Sequence, residues 1–146
     1  MATSFTNNWK NLLDKLENVF RTEFSRNALP VYTGEVNEKV GNQYLRFDPV
    51  GSELLEYNVS SETREFSINM FLYFGDKSES RTKLDAILRL VSRIESLVVD
   101  NISMTLSDST SAFNCRVEST LLDAVEDTEN YVVLFDYKCM HLGNTG

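Results

Sequence analysis

Strict alternation of side chains in two stretches of this 146-residue chain is the feature that most limits its fold. The stretches run over 64–74 and 131–142. Successive side chains of a β-strand point to opposite faces, so a period of two predicts two strands, each with one face turned to a core. The predicted core positions are Phe66, Ile68, Met70, Leu72 and Phe74 in the first stretch and Tyr131, Val133, Phe135, Tyr137, Cys139 and His141 in the second.

The opposite face of the first strand changes character along its length. It begins polar at Glu65, Ser67 and Asn69 and becomes aromatic at Phe71 and Tyr73. Aromatic side chains on a face that only water covers are unfavourable. We therefore expect this end of the strand to be covered by another group, of which a second subunit is one example.

Two other segments have a helical period. Apolar residues recur every three or four positions from Phe5 to Phe20, and again over 78–99, where the predicted helix is about 33 Å long at 1.5 Å per residue. The stripe of the second helix includes Leu88 near its middle, so Leu88→Asp is expected to destabilise the protein strongly. Each helix is expected to turn one apolar side toward a core.

Shorter signals complete the predicted sheet. Residues 29–32 favour an edge strand, because Pro30 cannot donate a ladder hydrogen bond. Asp48-Pro49 is expected to end a strand over 44–47, and a separate strand is expected over 53–59. Alternation also predicts strands over 102–106 and 113–117, and residues 123–129 predict the turn of a hairpin that leads into the last strand.

The order is helix, strands, helix, strands, which argues against a doubly wound parallel sheet. We expect one α+β domain over 1–146, in which a mostly antiparallel or mixed β-sheet carries two long amphipathic helices packed on one face.

The charge of the chain restricts its partners. Asp and Glu total 22 against 14 Lys and Arg, a net charge of −8. An acidic surface repels phosphate backbones and anionic lipid heads, so neither sequence-independent nucleic-acid binding nor membrane binding is expected. The charge is compatible with a position close to DNA that slides past without adhering. The start of the chain has no basic head followed by an apolar run, and no stretch approaches the ~20 apolar residues of a membrane span. We expect a protein that is made and used in a reducing cytosol, or in a particle assembled there.

No candidate catalytic or metal site is complete. Cys139 and His141 share a strand face, but a cysteine–histidine nucleophile pair also needs an orienting third group. Cys115 could join them as a third zinc ligand only if the two strands were neighbours, and no CxxC or HxxxH spacing supports this. We expect no enzyme activity, no metal and no cofactor.

Other charged groups have simple explanations. The acidic run Asp123, Glu126, Asp127 and Glu129 lacks the glycine of a calcium loop, so a solvated turn is expected. Arg89 and Arg93 lie four residues apart and are expected to lie on an exposed helix face.

The arrangement resembles the tail-terminator proteins of tailed bacteriophages, which are small acidic domains of about this length. They open with an amphipathic helix, here from Asn7-Asn8-Trp9-Lys10-Asn11-Leu12-Leu13 onward. A strand run with a long loop follows, here 29–74; a second long helix, here 78–99, leads into a closing antiparallel set, here 102–142. The resemblance covers nearly the whole chain and rests on element order and size.

The resemblance implies a virion protein assembled in the host cytoplasm. It implies a homohexameric ring that caps the finished tail tube, joins the tail to the head connector or stopper protein, and lets DNA pass without specific binding. The tail sheath is a further candidate partner. Interface residues are expected in a polar loop, at the aromatic strand end and in the acidic turn: Glu35, Glu38, Lys39, Asn42, Phe71, Tyr73, Glu126, Asp127 and Glu129. The alternatives are another neck or tail-completion protein, or a non-viral α+β protein-binding module.

Overall fold

A computed structural model describes residues 7–24, 29–33, 43–74, 80–124 and 131–144 of the chain. These residues form two helices, α1 (Asn8–Glu23) and α2 (Ser80–Asp100), and six strands. The strands are β1 (Val31–Thr33), β2 (Gln43–Tyr57), β3 (Ser61–Phe74), β4 (Met104–Thr105), β5 (Ser111–Ala124) and β6 (Tyr131–Asn144).

The six strands make one sheet in the order β1-β2-β3-β6-β5-β4. Every neighbouring pair is antiparallel except β1–β2, which is parallel. The two alternating stretches of the sequence, β3 and β6, are neighbours at the centre and pair without a register shift from Ser61↔Asn144 to Phe74↔Tyr131. The predicted alternation is confirmed there, because Ile68, Met70 and Phe135 are fully buried.

Helix α1 begins at a side-chain cap: the Asn7 carboxamide oxygen accepts a hydrogen bond from the Lys10 N–H at 3.1 Å. This bond satisfies one of the amide groups that a helix start leaves unpaired. Leu12, Leu16 and Phe20 recur at four-residue spacing and are buried.

The helices and the sheet enclose one core. We call the sheet face turned to the helices the inner face and the opposite one the outer face. The Trp9 ring meets Phe66 of β3 edge to face at 4.6 Å, and Phe20 meets Phe47 of β2 at 5.2 Å. Helix α2 buries Ile87, Val91, Ile94 and Val98 in the same core.

The expected fold class is wrong because it gives the two helices too large a share of the structure. The structure is mostly β, with four strands of 14 or 15 residues curled into a half-barrel and helices of only 16 and 21 residues. Two long helices do not dominate the architecture. The pattern over 43–59 is broken by a proline and resembles two short strands, although it forms one long strand.

Pro49 does not end β2, contrary to the sequence prediction. The strand runs from Gln43 to Tyr57 and absorbs irregularities at Pro49/Gly51 and Leu54/Glu56. A proline is tolerated in a strand where its nitrogen faces away from the neighbouring strand. Pro49 occupies such a position opposite Ile68. Leu45 donates its N–H to the Pro30 carbonyl next to β1, and Pro49 lies four residues further along the same strand. Since backbone direction alternates along a strand, the nitrogen of Pro49 also faces away from β3.

Two further expectations need correction. The strand expected over 102–106 is reduced to Met104–Thr105, since the turn at 107–110 follows at once. Leu88 is 47% exposed, because the buried stripe of α2 runs through Ile87, Val91, Ile94 and Val98, to one side of it. The position of β1 at the edge of the sheet is confirmed.

The corrected helix face gives a direct test. We expect Ile87→Asp to lower the free energy of unfolding by more than about 3 kcal/mol, because it leaves a charge in a dry core. Leu88→Asp, one residue along, should cost less than about 1 kcal/mol, because that side chain reaches water. Urea unfolding of both variants measures the difference, and equal losses would contradict the assigned face.

Candidate functional site

Cys115, Cys139 and His141 lie close to the core but not in a catalytic arrangement. The hydrogen bond from the Cys139 thiol lowers the pKa of Cys115 to about 7, and donating that bond raises the pKa of Cys139, together with burial. Reactive cysteines are partly exposed, whereas these two residues are at most 2% exposed. A substrate therefore has no route to either sulfur in the conformation described.

His141 is engaged by a turn and not by either cysteine. Its Nε2 lies 2.8 Å from the Thr110 hydroxyl, which donates to the Asp108 carboxylate at 2.6 Å. The Asp108 carboxylate accepts from the threonine and so does not hold the imidazole directly, as the orienting carboxylate of a catalytic triad does. The three side chains instead join the β4–β5 turn to β6. No group of three or more His, Cys, Asp or Glu side chains suited to a metal occurs within the described residues.

The structure brings together the strand ends from which the predicted interface segments leave. Gln43, Phe74, Tyr131 and Ala124 stand in one row across β2, β3, β6 and β5. Seven predicted interface residues lie outside the described residues: Glu35, Glu38, Lys39, Asn42, Glu126, Asp127 and Glu129. Asn42 directly precedes the row, and the segment that holds Glu126, Asp127 and Glu129 joins Ala124 to Tyr131.

Phe71 and Tyr73, the two described interface candidates, belong to a cluster on the outer face near that row. Tyr73 stacks on Tyr44 with ring centroids 5.2 Å apart, and the Arg46 guanidinium lies 4.7 Å above the Phe71 ring. Both Phe71 and Tyr73 are half-buried. We call Tyr44, Arg46, Phe71 and Tyr73 the aromatic patch.

Arg46 has an incomplete set of partners within the described residues. One terminal nitrogen meets the Asp48 carboxylate at 3.0 Å, but the buried Nε has no hydrogen-bond acceptor there. A buried donor without an acceptor is costly, and a partner protein that brings a carbonyl or carboxylate oxygen would remove that cost. The patch thus has the aromatic and arginine composition typical of protein interfaces.

A network of charges occupies the middle of the outer face. Arg116 contacts Glu65 at 2.9 Å and Glu118 at 2.7 Å, and Lys138 approaches Glu118 at 3.6 Å. The hydrogen bond to Glu65 raises the pKa of Arg116, and the bond from Arg116 lowers the pKa of Glu118. These groups satisfy one another, so the network is a solvated surface and not a ligand site.

Sequence reasoning missed an exposed apolar stretch at the other end of the sheet. Residues 50–60 of β2 and its turn, which we call the arm, carry several exposed apolar side chains, among them Leu54, Leu55 and Val59, the last 95% exposed. The arm has an ordered tip, where the Asn58 side chain accepts from the Ser60 and Ser61 amides at 2.9 and 2.8 Å. The adjacent leucines were a signal, because a solvated ribbon rarely carries both.

The cleft between α1 and β1, of about 310 Å³, does not suggest a small-molecule site, because its guanidinium, from Arg21, is already bound to the Val31 carbonyl at 3.0 Å. No described helix is long and apolar enough to cross a bilayer. The protein surfaces that stand out are the aromatic patch and the arm.

Burial of His141 makes stability depend on pH. Burial lowers its pKa, while the nearby carboxylates of Asp108 and Glu62 partly oppose this. As pH falls through 6.5, the unfolded chain takes up this proton before the folded one, so the free energy of unfolding should fall between pH 7.5 and 5.5. Carboxylates such as Glu118, with their pKa lowered, contribute only at more acidic pH.

The control for this prediction is His141→Gln, which removes the titrating group. Urea unfolding at pH 7.5, 6.5 and 5.5 should give a sloping profile for the natural chain and a flatter one for the variant. Parallel profiles would show that another group causes the pH dependence.

Comparisons with known proteins give a fold and no family. No protein-family model and no curated protein matches the chain. Among solved structures, a chain of the "Virion of native gene transfer agent (GTA) particle" is similar with a TM-score of 0.51 at 9% identity, over 77% of this chain and 78% of that one. A second solved protein, whose name does not describe a function, has a TM-score of 0.54 at 15% identity, over 92% of both chains. The chain thus shares its fold with a component of a phage-like virion particle.

Proposed function

We propose that this chain is a structural virion protein, and specifically a tail terminator that forms a hexameric ring on the tail tube. The observation that carries the proposal is the fold shared with a chain of the gene transfer agent virion. The order of helix, strands, helix and strands agrees with the resemblance to tail terminators. Because the name of that particle does not say which component the similar chain is, a neighbouring neck protein is the second candidate.

The distribution of surface features supports an assembly role. The aromatic patch lies at one end of the strands and the arm at the other, so the two ends of the domain differ. A ring between a tail tube and a head connector needs two different faces in the same way. We propose that the patch, with the segments that leave the strand ends beside it, contacts one of these partners.

Charge supports passage of DNA without adhesion. The described side chains of the outer face include more acids than bases: Asp48, Glu53, Glu56, Glu65, Glu118 and Asp136 against Arg46, Arg116 and Lys138. Phosphates are repelled by such a surface. If the helices lie outside the ring, the outer face of the sheet lines its channel, and DNA slides past it.

We also propose that the protein has no catalytic activity. Cys139→Ala and His141→Gln should each leave assembly and infectivity or transfer unchanged at a pH where the variants are folded. Unfolding curves serve as the control, because both side chains are buried and their loss reduces stability. A well-folded variant that assembles normally but abolishes particle function would contradict this part of the proposal.

The ring is testable in solution. Six copies carry a charge of roughly −48, so repulsion opposes assembly of the free protein until salt screens it over a Debye length of about 8 Å. Light scattering should therefore detect monomers at low salt and low concentration, and a six-chain species as salt and concentration rise.

Phe71→Ser tests whether the aromatic patch is a docking surface. It removes an aromatic contact of the patch without entering the core, so the ring should still form while its binding to purified tail tubes weakens. Asn69→Ser, two residues away on the same face, is the control and should bind as the natural chain does. Equal binding by both variants would remove the patch from the docking surface.

A further inference from the structure

The sheet has two free edges that face in opposite directions. Beside β2, β1 covers only 45–47, and beside β5, β4 covers only 111–112. Within the part of the chain that the structure describes, the rest of each long strand has a strand neighbour on one side only. Such edges are ready templates for pairing with another chain.

The backbone groups directed to the β2 edge can be identified from the ladder. In antiparallel pairing, residues alternate between bonding to the neighbour and facing away from it. The Asn58 N–H bonds to the Ser61 carbonyl, which fixes the phase at the end of β2. The register with β3 then shows which residues of β2 bond to β3 and which face away from it. The N–H and C=O groups of Ser52, Leu54 and Tyr57 face away from β3, toward the free edge.

The same alternation of bonding and outward-facing residues can be followed through β3 and β6 to β5. It directs the backbone groups of Val117, Thr120 and Leu122 to the opposite free edge. An observed bond agrees with this phase, since the Cys115 N–H faces away from β6 and reaches the Ile102 carbonyl at 2.9 Å.

The two edges match each other residue by residue. Within residues 52–57 and 117–122 each strand has one register shift, β2 at Leu54/Glu56 and β5 at Val117/Ser119. The other shift of each strand, at Pro49/Gly51 and at Phe113/Arg116, lies outside these segments. An antiparallel alignment of Ser52 with Leu122 also aligns Leu54 with Thr120 and Tyr57 with Val117, so the irregularities coincide. All six of these residues have their side chains on the inner face, because their ladder partners in β3 and β6 do.

Strand direction favours the same contact. The chain alternates in direction from β2 through β3 and β6 to β5, so β5 runs opposite to β2. A rotation about a ring axis keeps these directions, and β2 of one copy meets β5 of the next in antiparallel orientation. In this alignment the stretches covered by β1 and β4 lie beyond the ends of the contact and do not block it.

On the basis of the proposed ring, we propose that β2 of one protomer pairs with β5 of the next along residues 52–57 and 117–122, which joins the sheets into one closed barrel. Ser52 lies in the same row of the sheet as Phe66 of β3, and Leu122 lies in the same row as Leu72. The two segments are therefore displaced from each other along the strand direction by six residues. That offset is roughly 20 Å, and four strands are about 19 Å wide, which corresponds to a strand tilt of about 45°. Closed barrels tilt their strands by a similar amount, about 35–45°.

One contact of this seam is unfavourable. Glu56 of one copy faces Glu118 of the next on the outer face, where Arg116 and Lys138 already hold Glu118. Like charges directly opposite each other weaken a strand pair. The arrangement explains why salt should favour assembly of the natural protein.

Paired cysteines test the register. Glu53 and Leu121 would face each other across the seam as a non-hydrogen-bonded pair, with Cα atoms about 4.5 Å apart, which suits a disulfide. Under mild oxidation, a chain with both Glu53→Cys and Leu121→Cys should give a ladder of cross-linked species up to six chains. The native cysteines are buried, so either single variant should stay uncross-linked.

The outcomes separate the two proposals. Six-chain particles in light scattering without a ladder from the double variant would overturn the seam and leave the ring. Dimers from Glu53→Cys alone would overturn the seam in favour of arm-to-arm pairing. A chain that is monomeric at every salt concentration and does not bind tails would overturn the ring itself.

A charge change tests the seam without cysteines. Glu56→Lys places a cation opposite Glu118 and should tighten association at low salt about tenfold, so that added salt now weakens it. Asp14→Lys makes the same change in net charge on α1, outside the two paired segments, and is the control. Equal effects of the two variants on association would contradict the seam.

Discussion

The pairing of β3 with β6 is the interaction on which the rest of the structure depends. Fourteen residues of each strand pair in one uninterrupted register. Because a shift by one residue would move every side chain to the wrong face, the burial of Phe66, Ile68 and Met70 opposite Cys139, Tyr137 and Phe135 fixes the register. The helices then have a single apolar face to cover.

This central pair also determines what remains for other molecules. With both helices on the inner face, the outer face holds the charge network and the aromatic patch. The short strands β1 and β4 cover only part of each edge, and β2 continues into the arm. The surfaces that this arrangement leaves exposed are the outer face and the uncovered lengths of the two edge strands.

The sequence predicts those strands in which the pattern of residues depends only on which side chains enter the core. Alternation at β3 and β6 is such a pattern, since each residue is either in the core or out of it. It does not predict that β2 continues through Pro49, because that depends on which way the proline nitrogen faces in the finished sheet. The apolar character of Leu88 predicts a core position, but the buried stripe of α2 runs through Ile87 and Ile94 and leaves Leu88 half exposed. Of the interface candidates, Phe71 and Tyr73 are visible as aromatics on an otherwise polar face, whereas the arm and the free edges follow from pairing between distant segments.

The proposed role of this chain requires a six-membered ring at the end of a virion tail. A cryo-electron microscopy map of purified particles that contain the chain tests this most directly. We expect six copies in one ring between tail tube and head connector, with the helices outside and continuous antiparallel strands around the channel. A map in which the chain is missing, or lies elsewhere in the particle with another symmetry, would contradict the proposed role.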